Sequence, residues 1–285
     1  MKNLKDKIAA ITGAASGIGR ALALNLADEG CHLAISDINE AGLKETAEMV
    51  HSRSKNVRVT THRVDTADRE QVRHYAKEVM KIHGAVHIII NNAGVVIAET
   101  LEDLSYEDFE WLMGINLWGV VYGSKEFLPY LKQQDSAHIV NISSVNGIFT
   151  NPNNGPYCTA KFAVRGFTET LAQELSDTKV KVSCVHPGGI KTNIVNNARF
   201  FKSSDTSMAK EEAAAFFNRV IANTTADKAA KIIISGIKKD KARIMVGTDA
   251  YVMDWLKRLF PVWFQKLVGR KAAPKWMKKK AGLMS

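Results

Sequence analysis

The chain has 285 residues, 46% hydrophobic and 24% charged, a balance that excludes a disordered polymer and suits one large α/β domain or a domain with an appendage. Its net charge of +10 is local: from Lys238 onward there are 13 basic and 3 acidic residues, while the first 237 residues carry 26 of each sign. That distribution excludes a uniformly basic nucleic-acid-binding domain. The three cysteines (Cys31, Cys158 and Cys184) are odd in number and widely spaced, which fits neither a disulfide framework nor a metal site and suits a reducing, cytoplasmic setting. The polar N-terminus and the lack of long apolar runs argue against a secretory leader or a spanning helix.

Short runs rich in Val and Ile alternate with longer segments of helical period. Strands are expected over residues 7–12, 31–36, 57–64, 86–90, 138–143, 179–185 and 242–246, with helices over 18–29, 40–53, 68–83, 106–132, 157–175 and 226–238. This alternation argues for an α/β fold with a doubly wound parallel sheet, in which ligands sit at the carboxyl ends of the strands. The polar and glycine-rich clusters fall at those ends.

The first such cluster holds Thr12, Gly13, Ser16, Gly17, Ile18 and Gly19, between the first strand and the first helix. Glycines there let the backbone approach a pyrophosphate, and the helix start offers free N–H groups and a positive dipole end. Asp37 ends the second strand about 20 residues on, where a carboxylate bonds ribose hydroxyls and repels a 2′-phosphate. It favours NAD(H), with NADP(H) an open alternative. Asp65 ends the third strand, placed for an adenine edge. Asn92, Ala93 and Gly94 follow the fourth, where the backbone must pass close to the cofactor.

The catalytic pattern lies further along. Asn116 is a polar residue among apolar neighbours in the long helix 106–132, either a satisfied buried amide or one that bonds water and links Lys161 to solvent. Ser144 ends the fifth strand, where its hydroxyl can polarise a substrate oxygen; Ser143 is the alternative, but strand alternation turns it away. Tyr157 and Lys161, four apart at the start of a helix, share one face. A free phenol has a pKa of about 10, and a nearby ammonium is expected to lower it by roughly 1–3 units. Such a tyrosine takes a proton from an alcohol, or returns it in reduction. His186 reads as a strand-end residue rather than a ligand.

The segments TGAASGIG (12–19), NNAG (91–94), YCTAK (157–161) and HPGGIKT (186–192), with Asp65, Asn116 and Ser144, run in order through about residues 5–246. In this the chain resembles the short-chain dehydrogenase/reductase family. The resemblance implies a Rossmann-type sheet of about seven strands and a tetrad of Asn116, Ser144, Tyr157 and Lys161. Tyr157 would be the acid/base, Lys161 would lower its pKa and bind the nicotinamide ribose, Ser144 would orient the substrate, and Asn116 would hold a relay water. Pro187, Gly188, Ile190 and Thr192 match the segment that contacts the nicotinamide end. The family also implies a homodimer or homotetramer.

Residues 1–247 are expected to form the catalytic domain, with 190–222 a substrate-binding excursion containing Phe200 and Phe201. Residues 248–285 are expected to form a helical, basic C-terminal extension. Ser144, Val145, Asn146, Tyr157, Gly189 and Ile194 are the expected substrate contacts, with Val95, Ile97, Ile148, Phe149 and Ile190 in an apolar lining. In the extension, Asp254, Lys257, Arg258, Pro261 and Gln265 make one narrow polar stripe, surrounded by Trp255, Leu256, Leu259, Phe260, Trp263, Phe264, Leu267 and Val268. Pro261 is expected to kink that helix or start a second one. Two readings of the extension stand: contact with a membrane surface, or packing over the substrate cleft or a neighbouring subunit. The expected activity is NAD(P)(H)-dependent interconversion of a lipophilic alcohol and its ketone or aldehyde. The alternatives are an NADPH-dependent 3-oxoacyl reductase of lipid metabolism and a non-catalytic nucleotide-binding scaffold at a membrane surface. No metal and no nucleic-acid partner is expected.

Overall fold

The apolar runs pair as the alternation predicts. In the computed structural model, which describes residues 1–192, 199–200 and 223–272, the main strands are β1 (Ile8–Thr12), β2 (His32–Asp37), β3 (Val59–Arg63), β4 (Ile88–Asn91), β5 (Ala137–Ile142), β6 (Val180–Pro187) and β7 (Arg243–Val246). They form one parallel sheet in the order β7-β6-β5-β4-β1-β2-β3. The order reverses between β1 and β4, so a crevice opens above their carboxyl ends. Ile88, Ile89 and Ile90 of β4 are all fully buried, as a central strand covered on both faces requires.

Helices α1 (Gly17–Asp28), α2 (Glu40–Arg53), α3 (Arg69–His83), α4 (Tyr106–Met113), α5 (Gly119–Leu131), α6 (Gly155–Glu174) and α7 (Ala226–Lys238) cover the sheet. Leu22, Leu43 and Ile233 pack α1, α2 and α7 on one face, while Tyr75, Phe127 and Leu171 pack α3, α5 and α6 on the other. Local chemistry sets the boundaries. Asn39 accepts a bond from Gly42 N at 3.0 Å to start α2, and Asp68 accepts from Glu70 N and Gln71 N to start α3. Gly84, in the left-handed region at φ 77°, ends α3.

The long helix expected over 106–132 is interrupted. Residues Gly114–Trp118 form a π-helical turn between α4 and α5, and Asn116 sits inside it. Wider i to i+5 bonding adds a residue to the turn and rotates the side chains that follow, a local distortion often found at functional sites.

Two helices follow β7: α8 (Thr248–Leu259) and α9 (Pro261–Ala272). Pro261 occupies the first position of the second, where its missing N–H is not needed. Both pack on the domain. Phe264 meets Phe149 edge-on with ring centroids 5.3 Å apart, in a cluster with Val145, Ile148, Met245 and Ala250. Gln265 donates to the Thr150 carbonyl at 2.7 Å. Of the narrow polar stripe, Asp254 is buried while Arg258 and Pro261 are exposed; Asp254 accepts from Arg243 at 2.7 Å and from Arg258 at 3.2 Å. Burial works to raise the Asp254 carboxyl pKa, but the two guanidiniums hold it below the usual range.

Candidate active site

The crevice above β1 and β4 is tied together by backbone contacts that exclude side chains. Gly13 has φ 67°, and a Cβ there would lie 2.7 Å from the Ala93 Cα. Thr12 Oγ1 accepts from Asn92 N at 3.0 Å and Ala93 N at 3.1 Å, while Asn92 Nδ2 donates to the carbonyls of Thr12 and Gly13 at 2.9 and 3.1 Å. Thr12, Gly13, Asn92 and Ala93 thus form one rigid floor. At its edge, Ser16 precedes α1 without a side-chain cap bond, unlike Asn39 and Asp68 at α2 and α3, so it does not occupy the first-turn N–H groups of α1 beside Gly17, Ile18 and Gly19. A Cβ on Gly17 would come within 3.4 Å of the Thr192 side chain, so the segment after β6 reaches the glycine turn.

Asp37 ends β2 as expected. Its Oδ2 accepts from Ala15 N at 3.1 Å and its Oδ1 from Asn39 N at 3.0 Å, fixing the carboxylate at the rim of the turn. Each oxygen keeps a further lone pair for a ribose hydroxyl. Asp65 bonds locally, its Oδ1 accepting from Ala67 N at 2.9 Å.

Asn116 and Lys161 meet at Gly94, and Tyr157 lies between Lys161 and Ser144. A Cβ on Gly94 would lie 3.3 Å from Asn116 Oδ1 and 3.6 Å from Lys161 Nζ. Lys161 is only 4% exposed, and its Nζ donates to the Ile142 carbonyl at 2.9 Å. That nitrogen lies 5.6 Å from the centroid of the Tyr157 ring. Ser144 starts a short 3₁₀ turn, Val145–Gly147, and accepts from Asn146 N at 3.1 Å. Ser143 points the other way and donates to the Lys161 carbonyl at 2.8 Å, so alternation separates the two serines as expected. Asn116 is fully buried, and its amide brackets Val95: Oδ1 accepts from Val95 N and Nδ2 donates to Val95 O, both at 2.8 Å. The side chain thereby clamps the loop after β4.

The titration behaviour also departs from expectation. Burial pushes the Tyr157 phenol up to about 12, and the Ser144 hydroxyl, which hydrogen-bonds it, works in the opposite direction. Burial lowers Lys161 to about 8. Desolvation is thus the largest influence on the phenol, ahead of the Ser144 hydrogen bond.

Several apolar residues expected in the pocket lie elsewhere. Val145, Ile148 and Phe149 are buried beneath α8 and α9, and Ile190 packs with the core under α1 and α7. Ile97 and Val95, also expected in the lining, do pack with Tyr157, together with Leu112, Ala160, Leu104 and Trp111. Asn146 is partly buried and donates to Asn151 Oδ1 at 2.8 Å. Ile194, Phe201 and the rest of 193–198 and 201–222 lie outside the described residues, as do the side chains of Arg199 and Phe200.

Two contributors carry little signal in the sequence. Asp249, in the first turn of α8, accepts from Gly189 N at 2.7 Å and fills the space a side chain on Gly188 would need. It ties the extension to the loop after Pro187 across 60 residues of chain, with no local signal beyond an acid near a helix start. His186 is fully buried, and its Nδ1 bonds the Ser144 carbonyl at 3.0 Å. A carbonyl only accepts, so Nδ1 carries the hydrogen, and burial lowers the ring to about 4, leaving it neutral at physiological pH.

A model of the short chain dehydrogenase family matches residues 7–202. A relative named SadH from Mycobacterium tuberculosis is 42% identical over 270 residues, 94% of this chain and 96% of SadH. A short-chain dehydrogenase/reductase from Burkholderia phymatum, solved in complex with NAD, is similar with a TM-score of 0.81 and 29% identity over 91% of this chain and 95% of that one. An alcohol dehydrogenase from the archaeon Thermococcus sibiricus, solved with 5-hydroxy-NADP, has a TM-score of 0.71 and 27% identity over 84% and 95%. Sheet order, site residues and relatives lead to one conclusion: the chain is an oxidoreductase of the short-chain dehydrogenase/reductase family.

Proposed function

We propose that the protein interconverts a lipophilic alcohol and its ketone or aldehyde with NAD(H) as the favoured cofactor, Tyr157 exchanging the proton. One observation carries the reading. Tyr157 is half-buried between the Ser144 hydroxyl and the Lys161 ammonium, with Val95, Leu104 and Trp111 as apolar neighbours.

The residues present fit a nicotinamide dinucleotide. The bare glycines at 13, 17 and 19, the α1 N–H groups left free by Ser16, and the Thr12–Asn92–Ala93–Gly94 floor would hold its phosphates and nicotinamide half. Asp37 would bond the adenosine ribose, Asp65 would lie toward the adenine, and Pro187, Gly188, Ile190 and Thr192 would border the nicotinamide. When bound, the nicotinamide accepts or supplies the hydride. NAD occupies one related structure and 5-hydroxy-NADP another, and the negative charge of Asp37 favours the cofactor without a 2′-phosphate.

Tyr157 Oη takes the alcohol proton during oxidation and returns it during reduction. Ser144 Oγ hydrogen-bonds the substrate oxygen and favours the phenolate. Lys161 keeps positive charge beside the ring as the phenolate forms, at a pKa close to the working range. Asn116 holds Val95, and with it the strip of backbone over which the substrate lies. Asn146 and Gly189 complete the proposed substrate contacts in a catalytic domain at 1–247. The three cysteines are all free, which suits a cytoplasmic enzyme, and the family resemblance suggests a homodimer or homotetramer.

The test is a series of secondary alcohols of increasing chain length assayed with NAD and with NADP. kcat/KM should rise roughly fourfold per methylene, the worth of one buried CH2, and favour NAD. A preference for short or charged alcohols would rule out the substrate class, and a preference for NADP would rule out the cofactor assignment.

A further inference from the structure

The two C-terminal helices carry apolar residues on two sides, one packed on the domain and one exposed. A surface helix usually buries its apolar face and leaves a polar one in water. Here Ala250, Met253, Leu256, Phe264 and Val268 pack inward, with Asp254 9% exposed and bonded to two arginines and Gln265 bonded to Thr150 beside them. The outer faces are apolar. Trp255 and Leu259 are each 62% exposed and Trp263 57%, with Tyr251, Phe260 and Val262 beside them. Among the described residues, 7 of the 14 large apolar side chains that are exposed fall within residues 251–263, so this is a patch rather than the usual scatter.

Charge identifies what would cover it. From Trp255 to the end, the chain contains nine basic residues and no aspartate or glutamate. Lys266 is exposed on α9 beside Val262 and Trp263. Tryptophan and tyrosine rings mixed with lysine and arginine suit the boundary between acyl chains and anionic headgroups, where rings enter the interface and cations meet phosphates. A protein partner would also have to offer acids to match this charge. No helix among the described residues is long and apolar enough to cross a membrane, so the contact would be peripheral.

We infer that the outer face of α8 and α9 is a docking surface for a bilayer containing anionic phospholipid. The same helices reach the catalytic loops from their inner side, through Phe264 on Phe149 and Asp249 on Gly189, so the docked face backs directly onto the site. The inference does not depend on the proposed substrate class.

The test is flotation of the full-length protein with vesicles of phosphatidylcholine alone and of phosphatidylcholine mixed with phosphatidylglycerol. The protein should float with the mixed vesicles, and high salt should weaken the binding. The double variant Trp255→Ser/Trp263→Ser should lose at least roughly tenfold in partitioning, with turnover and Tm retained. Failure to float with the mixed vesicles would overturn the inference, as would equal binding to neutral ones. So would flotation that appears only after the chain is cut at 272, since residues 273–285 would then be covering the patch themselves. A soluble dimer that dissociates in the double variant, without flotation of the native protein, would assign the surface to a second copy and also overturn it.

Discussion

Replacing Lys161 with methionine should stabilise the protein while silencing it. The ammonium is 4% exposed and its pKa falls from an ordinary 10.5 to about 8, so folding disfavours its charged form. At 1.36 kcal/mol per unit, that difference costs the native state about 3 kcal/mol at pH 7. The sign follows from the direction of the shift. The cost is fully present below the folded value of about 8 and disappears as pH rises toward 10.5, where the unfolded lysine is also neutral. Methionine is apolar and similar in length, but it leaves the Ile142 carbonyl without its donor, which offsets roughly 1–2 kcal/mol. A net gain of about 1–2 kcal/mol remains at pH 7, equivalent to a rise in Tm of roughly 2–6 °C for a chain of this size. Near pH 10 the gain should be gone. Calorimetry of both proteins without cofactor, at pH 7 and pH 10, measures the difference, and initial rates should show turnover reduced by roughly 100-fold or more. A lower Tm for the variant at pH 7, or a difference that does not change with pH, would refute the reasoning.

Asp37→Ala should raise the NADP-to-NAD ratio of kcat/KM by at least roughly tenfold, because a carboxylate within about 5 Å of a phosphate repels it by a few kcal/mol at intermediate dielectric. An unchanged ratio would remove Asp37 from cofactor selection. Ser144→Ala should lower kcat/KM for oxidation by roughly 100-fold and move the alkaline rise of the pH–rate profile upward, since it removes the hydrogen bond that opposes burial at Tyr157. A lower rate with an unmoved profile would confine Ser144 to substrate binding. Asp249→Ala leaves the Gly189 N–H without its acceptor and should raise the cofactor KM more than it lowers kcat, with Asp249→Asn restoring part of the loss. Equal damage by both variants, or an effect on Tm alone, would argue against a positioning role.

How much is legible in the sequence depends on the range of the interaction concerned. Strand and helix periodicity are local, so the alternation and the fold class can be read directly, and β-strand alternation alone separates Ser144 from Ser143. The π-helical turn at Gly114–Trp118 cannot, because the apolar pattern of 106–132 runs through it unbroken. Ile148 and Phe149 read as pocket lining because they follow Ser144. Only the return of Phe264, more than 100 residues later, shows that they lie beneath the extension. The Tyr157 pKa departs from expectation for a related reason: the i, i+4 spacing reveals the ammonium but not the desolvation around it. The polar stripe of the extension is visible as a stripe, whereas the burial of Asp254 within it depends on Arg243 in β7.

The central claim is that Tyr157 carries the proton in a nicotinamide-linked oxidation. It is tested most directly by initial rates of Tyr157→Phe and the native enzyme with NAD and the best alcohol of the chain-length series, followed by nicotinamide absorbance, together with cofactor binding to each protein. A Tyr157 acid/base predicts a loss in kcat of at least roughly 1,000-fold with the cofactor Kd changed by less than about threefold. Turnover by the variant within about tenfold of the native rate would contradict it.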